Sequence, residues 1–307
     1  MFKDALPLVS IITVNYKQTD VTLLLLESLR KSTYPNLEII VVDNGSGQGI
    51  EPILKAQYPE AICITSPDNL GFAGGNNLGI EKSKGKYLFF INNDTEVEPG
   101  FLEPMVNLVE NNPSIGLISP KIIYFDTDRL IQYAGSTGIN PFTGRGEKIG
   151  SFVKDEGQYN TTYETGLGHG AAMLIPRSVI QKVGMMPDIF FLYYEEHDWC
   201  EAIKRAGYKV FYVGQSLVYH KESVSVGRTS TLKTFYMTRN RILFLRRNNT
   251  FLALTSSLLF FAFLTVPKNT LKYILKANWD HLKAFYKGIG WNLTHFNVHG
   301  FPILKTS

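Results

Sequence analysis

From residue 8 to residue 92 the chain alternates short, unbroken apolar runs with segments of helical spacing, and this order constrains the fold more than any other feature. The runs are "LVSIITV" (8–14), "LEIIVVD" (37–43), "AICIT" (61–65) and "KYLFFIN" (86–92), and helical spacing covers about 20–32, 49–58 and 74–83 between them. Continuously apolar strands have no water-facing side, so both faces must be covered. Strands that alternate with helices of about ten residues build a parallel sheet. The expectation is an α/β fold with a mostly parallel central sheet and helices on both faces. In such sheets ligands bind beyond the carboxyl ends of the strands. The informative residues are therefore Thr13 and Asn15, then Asp43, Asn44 and Gly45, then 66–69, then 92–96.

Further along, "HGAAMLIP" (169–176) reads as a buried strand. The stretch 196–205 reads as a helix with acids at its start, Lys204 and Arg205 near its end, and Gly207 as the stop. A strand over 208–213 follows, and the pattern turns helical and aromatic after Lys233. No internal repeat appears. The two cysteines, Cys63 and Cys200, form no CxxC or Cys/His cluster, which argues for a reducing compartment and against structural zinc. The N-terminal stretch "MFKDALPLVSIITVNY" does not read as a leader peptide, because an acid and a proline interrupt its apolar run.

Charge is unevenly spread. The chain carries +4, yet residues 228–307 hold 12 Lys/Arg against Asp280 alone, leaving −7 on the first 227 residues. A basic, aromatic tail on an acidic body points to an anionic partner, either nucleic acid or the cytoplasmic membrane surface. The uncharged run 248–267 is short of the roughly 20 apolar residues that a membrane span needs. A buried or interfacial hairpin is expected there.

Several strand ends carry chemistry. In "FFINNDTEVEP" (89–99), Asp94 and Glu96 follow a buried strand so closely that they repel unless a positive charge lies between them. A solvated turn before Pro99 is one reading; a divalent cation held with substrate phosphates is the other. His220, in "VYHKE", is a candidate third ligand. Asp43, in "VVDNGS", suits either an Asx-turn or the imide N–H of a pyrimidine. "NLGFAGGNNLG" (69–79) is neither a dinucleotide fingerprint nor a Walker loop. Its glycines allow close approach of a ligand or close packing of a helix. "EEHD" (195–198) places three acids at a helix start, as dipole partners or as a general base.

Together, "VSIITVNY", "EIIVVDNGS", "NLGFAGGNNLGI", "YLFFINNDTEVEPGFL", "GHGAAMLIPR" and "FFLYYEEHDWCEAIKRAGY" resemble the family 2 inverting glycosyltransferases over roughly residues 7–248. The similarity is greatest to the bacterial rhamnosyltransferase-like branch that builds cell-surface polysaccharides. The resemblance implies a GT-A fold over 1–230, with a nucleotide-sugar half over about 1–120 and an acceptor half over about 121–230, followed by a helical region over 231–307 that contacts a membrane or a partner. It implies a nucleotide-diphospho-sugar donor held by Thr13, Asn15, Asp43, Asn69, Gly71, Phe72, Gly74, Asn93 and Asp94. Mg²⁺ or Mn²⁺ would be held by Asp94, Glu96 and His220, with Glu196 as the base and Glu195 as its nearest competitor. His169, Trp199 and Asp198 would lie on the acceptor side. Many members carry Asp-x-Asp where this chain has Asn92-Asn93-Asp94, and Glu-Asp where it has Glu195-Glu196. The implied donor is dTDP-L-rhamnose before UDP-sugars, and the implied acceptor is a cell-surface glycan or lipid-linked glycan at the inner face of the cytoplasmic membrane. A second copy of the chain is a candidate partner. Two other classes were weighed. A sugar-phosphate nucleotidyltransferase needs a basic glycine-rich loop after the first strand, where this chain has "TVNYKQTD". A non-catalytic carbohydrate or nucleic-acid binder would account for the basic tail, but the acidic body fits a nucleic acid poorly.

Overall fold

The computed structural model describes residues 6–47, 49–222 and 230–296. Residues 1–5, which enter the leader-peptide reading, and Arg228 and Lys305 of the basic tail lie outside the described residues. In chain order the first part contains β1 (Val9–Asn15), α1 (Thr19–Leu29), β2 (Leu37–Asn44), α2 (Glu51–Gln57), β3 (Ala61–Ser66), α3 (Gly71–Lys82), β4 (Tyr87–Ile91), β5 (Thr95–Val97) and α4 (Glu103–Asn111). The second part contains β6 (Ile115–Tyr124), β7 (Ile131–Tyr133), β8 (Thr162–Glu164), β9 (Ala172–Pro176), α5 (Arg177–Val183), α6 (Glu195–Arg205) and β10 (Lys209–His220). Four helices follow: α7 (Thr231–Asn248), α8 (Phe251–Phe260), α9 (Val266–Leu275) and α10 (Trp279–Thr294).

The strands form one sheet in the order β3-β2-β1-β4-β9-β6-β10-β5, with β7 beside β6 and β8 beside β10. It is parallel from β3 to β4, the half that the apolar runs describe. Beyond β4 it is mixed, because β9 runs antiparallel to both β4 and β6. The long pairings are parallel, as expected, and the antiparallel ones involve β9 and the short strands β5, β7 and β8. Alternation along the strands feeds two cores. Val9, Ile11, Val41 and Phe89 pack with α1, α2 and α4. Ile12, Val42, Phe90 and Met173 pack with α3, α5 and α6 on the other face.

The glycine-rich stretch has a packing role. A Cβ at Gly79 would lie 2.4 Å from Ile12 Cγ2, and one at Gly75 would lie 2.9 Å from Val14 Cγ1. Glycine therefore lets α3 press directly onto β1. Gly79→Ala would gain about 1 kcal/mol of helix propensity, but overpacking against a fully buried Ile12 opposes it by about 1–3 kcal/mol. A lower urea midpoint is expected.

The C-terminal helices correct the hairpin expected over 248–267. Phe251–Leu275 is one helical stretch of 25 residues. Pro267 should interrupt it by clashing with the carbonyl four residues earlier. A turn of π-helix, Phe261–Thr265, lies just before the proline and shifts the bonding pattern there. Only 22% of its most apolar window is buried. Phe251, Leu252, Phe263 and Leu275 are each at least 73% exposed. Among the described residues, this is the one helix long and apolar enough to cross a membrane.

Candidate active site

A cleft of about 520 Å³ opens beyond the carboxyl ends of β1, β2 and β4. Alternation along β1 and β2 decides which side chains reach it. Val14, Tyr16 and Asn44 line the cleft, whereas Thr13, Asn15 and Asp43 do not. All three of the latter are essentially fully buried. Asn15 Nδ2 donates to Asp43 Oδ1 at 3.1 Å, and Thr22 Oγ1 donates to Asn15 Oδ1 at 3.0 Å. Asn93 Nδ2 in turn donates to Thr22 Oγ1 at 3.0 Å. Asp43 Oδ2 also accepts the Ile50 amide at 3.3 Å. Thr13 Oγ1 has no hydrogen-bond partner among the described residues. Of the residues expected to hold a nucleotide sugar, Asn69, Gly71, Phe72, Asn93 and Asp94 form the wall, and Gly74 does not. Asn44, on the cleft side, organises the turn: it donates to the Gly71 carbonyl at 2.9 Å and accepts the Leu70 amide at 3.0 Å. Gly71 has φ +74°, and a Cβ there would meet the Phe191 carbonyl oxygen at 2.2 Å.

On one wall, Asp94 Oδ1 lies 3.1 Å from His220 Nε2, and both side chains are buried. His220 Nδ1 lies 2.7 Å from Gln132 Oε1, which can only accept, so Nδ1 carries the proton. Nε2 then faces the carboxylate either as a lone pair or as part of an imidazolium. A lone pair and a carboxylate at this spacing suit a divalent cation whose remaining positions are filled by substrate oxygens. Glu96 is not part of this wall. Its carboxylate pairs with Lys221 Nζ at 2.9 Å, because Asp94 stands in the turn before β5 while Glu96 stands within it. The two-residue alternation of a strand does not extend back to Asp94. Among the described residues no three His, Cys, Asp or Glu side chains converge as a metal cluster.

On the other wall, Glu195 and Glu196 open α6. Burial, and then the neighbouring Glu196, hold the Glu195 carboxyl well above the ordinary glutamate range. Its Oε2 has no hydrogen-bond partner among the described residues, and neither has that of Glu196. Glu196 packs over Gly170, where a Cβ would lie 3.4 Å from its carboxyl carbon. His169 lines the cleft beside it. His169 Nδ1 accepts the Ala171 amide at 3.2 Å, and Nε2 lies 3.0 Å from Lys148 Nζ. Burial and the adjacent Lys148 hold this imidazole well below its ordinary range, so it is neutral.

The other two expected acceptor-side residues turn away. Trp199 packs edge-on against Phe90 and donates to the Gly184 carbonyl at 3.0 Å. Asp198 is fully buried, held by Arg247 Nε and Nη2 at 3.0 and 2.9 Å and by Asn248 Nδ2 at 2.7 Å.

The segment that delivers the two glutamates is strained. Phe191, Tyr193 and Tyr194 have φ of 63°, 69° and 77°. Each left-handed non-glycine residue costs roughly 1–2 kcal/mol. The segment docks on α7: Phe191 stacks on Tyr236 at 5.2 Å, and Tyr194 meets Phe244 at 5.7 Å. Arg239 donates to the Ile189 carbonyl. Asn240, fully buried, places Nδ2 2.9, 2.7 and 2.8 Å from the carbonyl oxygens of Phe190, Leu192 and Tyr193. Gln132, Lys148, Asn240 and Arg247 were not singled out from the sequence, and Asn44 was named at its strand end without a role. Of these, Asn44 alone had a local signal, beside Asp43 at a strand end.

Glu195 titration has a measurable consequence. Its proton is bound more tightly in the folded state. The resulting stability is therefore fully present below about 4.5 and is lost as pH rises through the raised value. Glu195→Gln cannot ionise. It is expected to match wild type in Tm near pH 4 and to exceed it near pH 8, by about the linkage free energy.

The family model described as glycosyl transferase family 2 matches residues 10–184. The hexosyltransferase Agl10 of low-salt glycan biosynthesis in Haloferax volcanii is 26% identical over 246 residues, 76% of this chain and 74% of that protein. An N-acetylglucosaminyl-diphospho-decaprenol L-rhamnosyltransferase of Mycobacterium tuberculosis is 24% identical over 223 residues, 66% of this chain and 72% of that protein. The uncharacterized protein y4gI of Sinorhizobium fredii is 28% identical over 255 residues, 78% of this chain; the chain spans only 27% of y4gI. Among solved structures, GalNAc-T7 with UDP, GalNAc and Mn²⁺ superposes with TM-score 0.64 at 17% identity, over 95% of this chain and 58% of that one. The mannosyltransferase PcManGT of Pyrobaculum calidifontis, with GDP-Man and Mn²⁺, superposes with TM-score 0.56 at 14% identity, over 95% of this chain and 88% of that one. At these identities the likeness concerns the fold, which is the GT-A fold expected from the sequence.

Proposed function

This chain belongs to the family 2 glycosyl transferases, and from that premise we propose that it moves a sugar from a nucleotide-diphosphate donor to a glycan hydroxyl with inversion. The observation that carries this reading is that Asp94 with His220 and Glu196 with Glu195 line one cleft at the strand ends. The donor would lie along Asn44, Asn69, Gly71, Phe72 and Asn93, with Asp43, Asn15 and Thr13 as the buried layer behind. Asp94 and His220 would hold Mg²⁺ or Mn²⁺. A bound divalent ion would supply positive charge to the departing diphosphate. Glu96 has no place in this set.

Glu196, the less buried of the two acids, accepts the proton of the acceptor hydroxyl. The new bond joins that oxygen to the anomeric carbon as the bond to the diphosphate oxygen breaks. Attack from the face opposite the leaving group inverts the centre. Glu195, raised by burial and by Glu196, stays protonated and spares Glu196 a second adjacent negative charge. Neutral His169 keeps a polar, uncharged edge beside Glu196 for the acceptor. dTDP-L-rhamnose is the preferred donor. That choice is supported by the L-rhamnosyltransferase relative, whose diphospho-decaprenol acceptor also suggests a lipid-linked acceptor here. The exposed Phe251–Leu275 helix and the basic tail fit peripheral contact with the cytoplasmic membrane, and hence access to such an acceptor.

A panel of dTDP- and UDP-sugars, read by Mn²⁺-dependent release of the nucleoside diphosphate, tests the reading; no release from any donor would refute it. Glu196→Gln is expected to lower kcat by about 10²–10⁴-fold with donor affinity nearly unchanged; wild-type turnover would remove Glu196 from the base role. Asp94→Ala is expected to weaken Mn²⁺-dependent nucleoside diphosphate binding by about 10–100-fold, measured calorimetrically. Vesicles rich in phosphatidylglycerol are expected to sediment the protein, with release at high salt, since each surface lysine or arginine contributes about 1 kcal/mol near an anionic bilayer.

A further inference from the structure

We infer that Asn240, on α7, is a positioning residue for the proton-accepting carboxylate. It acts by holding the left-handed segment that leads into α6. This rests on the reading of Glu196 as the base.

Three backbone carbonyls, those of Phe190, Leu192 and Tyr193, converge on one side-chain nitrogen. Carbonyls in a regular helix or strand point along the element or across to a neighbour. Here the positive φ values at Phe191, Tyr193 and Tyr194 turn them inward to a common point. Converging carbonyl oxygens repel one another, and within the segment the Phe190 carbonyl also accepts the Leu192 amide at 2.7 Å. Asn240 meets them with an amide that is fully buried and whose Oδ1 has no partner among the described residues. The amide orientation is therefore chemically determined, since a reversed amide would direct its oxygen at three other oxygens. Asn240 does not itself line the cleft; it reaches it only through the backbone of Leu192 and Tyr193, which do.

The consequence for the site follows from the chain. Tyr194 is the N-cap of α6, and Glu195 and Glu196 are its first two residues. A change in the backbone at 192–194 rotates the first turn of α6 and moves both carboxyl groups. A second attachment limits how far that turn can drift, because Arg247 and Asn248, also on α7, hold Asp198 two residues beyond Glu196. The first turn of α6 is thus pinned on both sides by one helix, with Asn240 controlling the strained side. The donor wall is made by other elements and meets this segment at Phe191, whose carbonyl accepts the Phe72 amide at 2.7 Å and is not one of the three that converge on Asn240.

The test uses the full chain, with dTDP-L-rhamnose or whichever nucleotide sugar the donor panel selects, Mn²⁺, and release of the nucleoside diphosphate as the readout. Asn240→Ala is expected to lower kcat by about 100-fold, the effect of a displacement of about 1 Å at a reacting group, with donor KM within twofold of wild type. Amide hydrogen exchange over 191–196 should accelerate in the variant while the β1–β4 amides remain protected. Combined with Glu196→Gln, Asn240→Ala should add little further loss, because both changes disable the same group. Multiplicative losses, or a raised donor KM at unchanged kcat, would overturn the positioning role. Wild-type turnover by Glu196→Gln alone would refute the base reading, whereas the exchange result and the fall in kcat with Asn240→Ala judge the clamp separately. Should Asn240→Ala fail to fold, wild-type exchange decides: amides at 192–196 exchanging like a surface loop would overturn the clamp.

Discussion

A single buried chain of hydrogen bonds underlies the donor side of the cleft. Asp43, Asn15, Thr22 and Asn93 come from β2, β1, α1 and the turn after β4, and each is bonded to the next. Removing any one would leave a neighbour unsatisfied away from water, a penalty of about 1–3 kcal/mol. The chain therefore fixes the relative height of three strand ends. The side chains that do face the cleft, Asn44, Asn69 and Asp94 among them, inherit their positions from it. Polar residues at strand ends serve two layers here: one is structural and closed, the other open to a ligand.

The two walls divide the electrostatic work. Asp94 and His220 meet on one wall, with Gln132 setting the imidazole's tautomer. Across the cleft, the first turn of α6 presents two adjacent acids, and burial keeps one of them protonated. Two ionised carboxylates side by side would each raise the other's proton affinity.

Much of this was legible in the sequence, and the failures have identifiable causes. The four apolar runs fell close to the observed β1–β4, because continuous apolar character is a local signal. The acids at 195 and 196 and the pairing of Asp94 with His220 followed from motif resemblance. Alternation puts Asn44 rather than Asp43 on the cleft, a distinction that their shared place at a strand end does not make, and the Asp-x-Glu spacing that suggested Glu96 as a cation ligand ends in β5, where Glu96 turns to Lys221. The resemblance placed Trp199 and Asp198 on the acceptor side, whereas they pack toward Phe90 and Arg247. The roles of Asn240 and Arg247 were not legible at all. Their partners lie about fifty residues away, and nothing local distinguishes a clamp from a surface basic helix. The hairpin expected over 248–267 is instead one helix, and a π-turn just before Pro267 lets it continue past the proline.

The matched family region ends at residue 184, and the change in charge falls near residue 228, yet neither border is a seam in the molecule. The buried ion pair of Asp198 with Arg247 ties the catalytic half to a helix beyond both points. In evolutionary terms, the tail is not cargo that recombination can exchange freely. A lineage that trades its C-terminal helices for another anchor must first find a new counter-ion for a carboxylate sealed from solvent. That requirement couples the inheritance of the C-terminal helices to that of the cleft they brace.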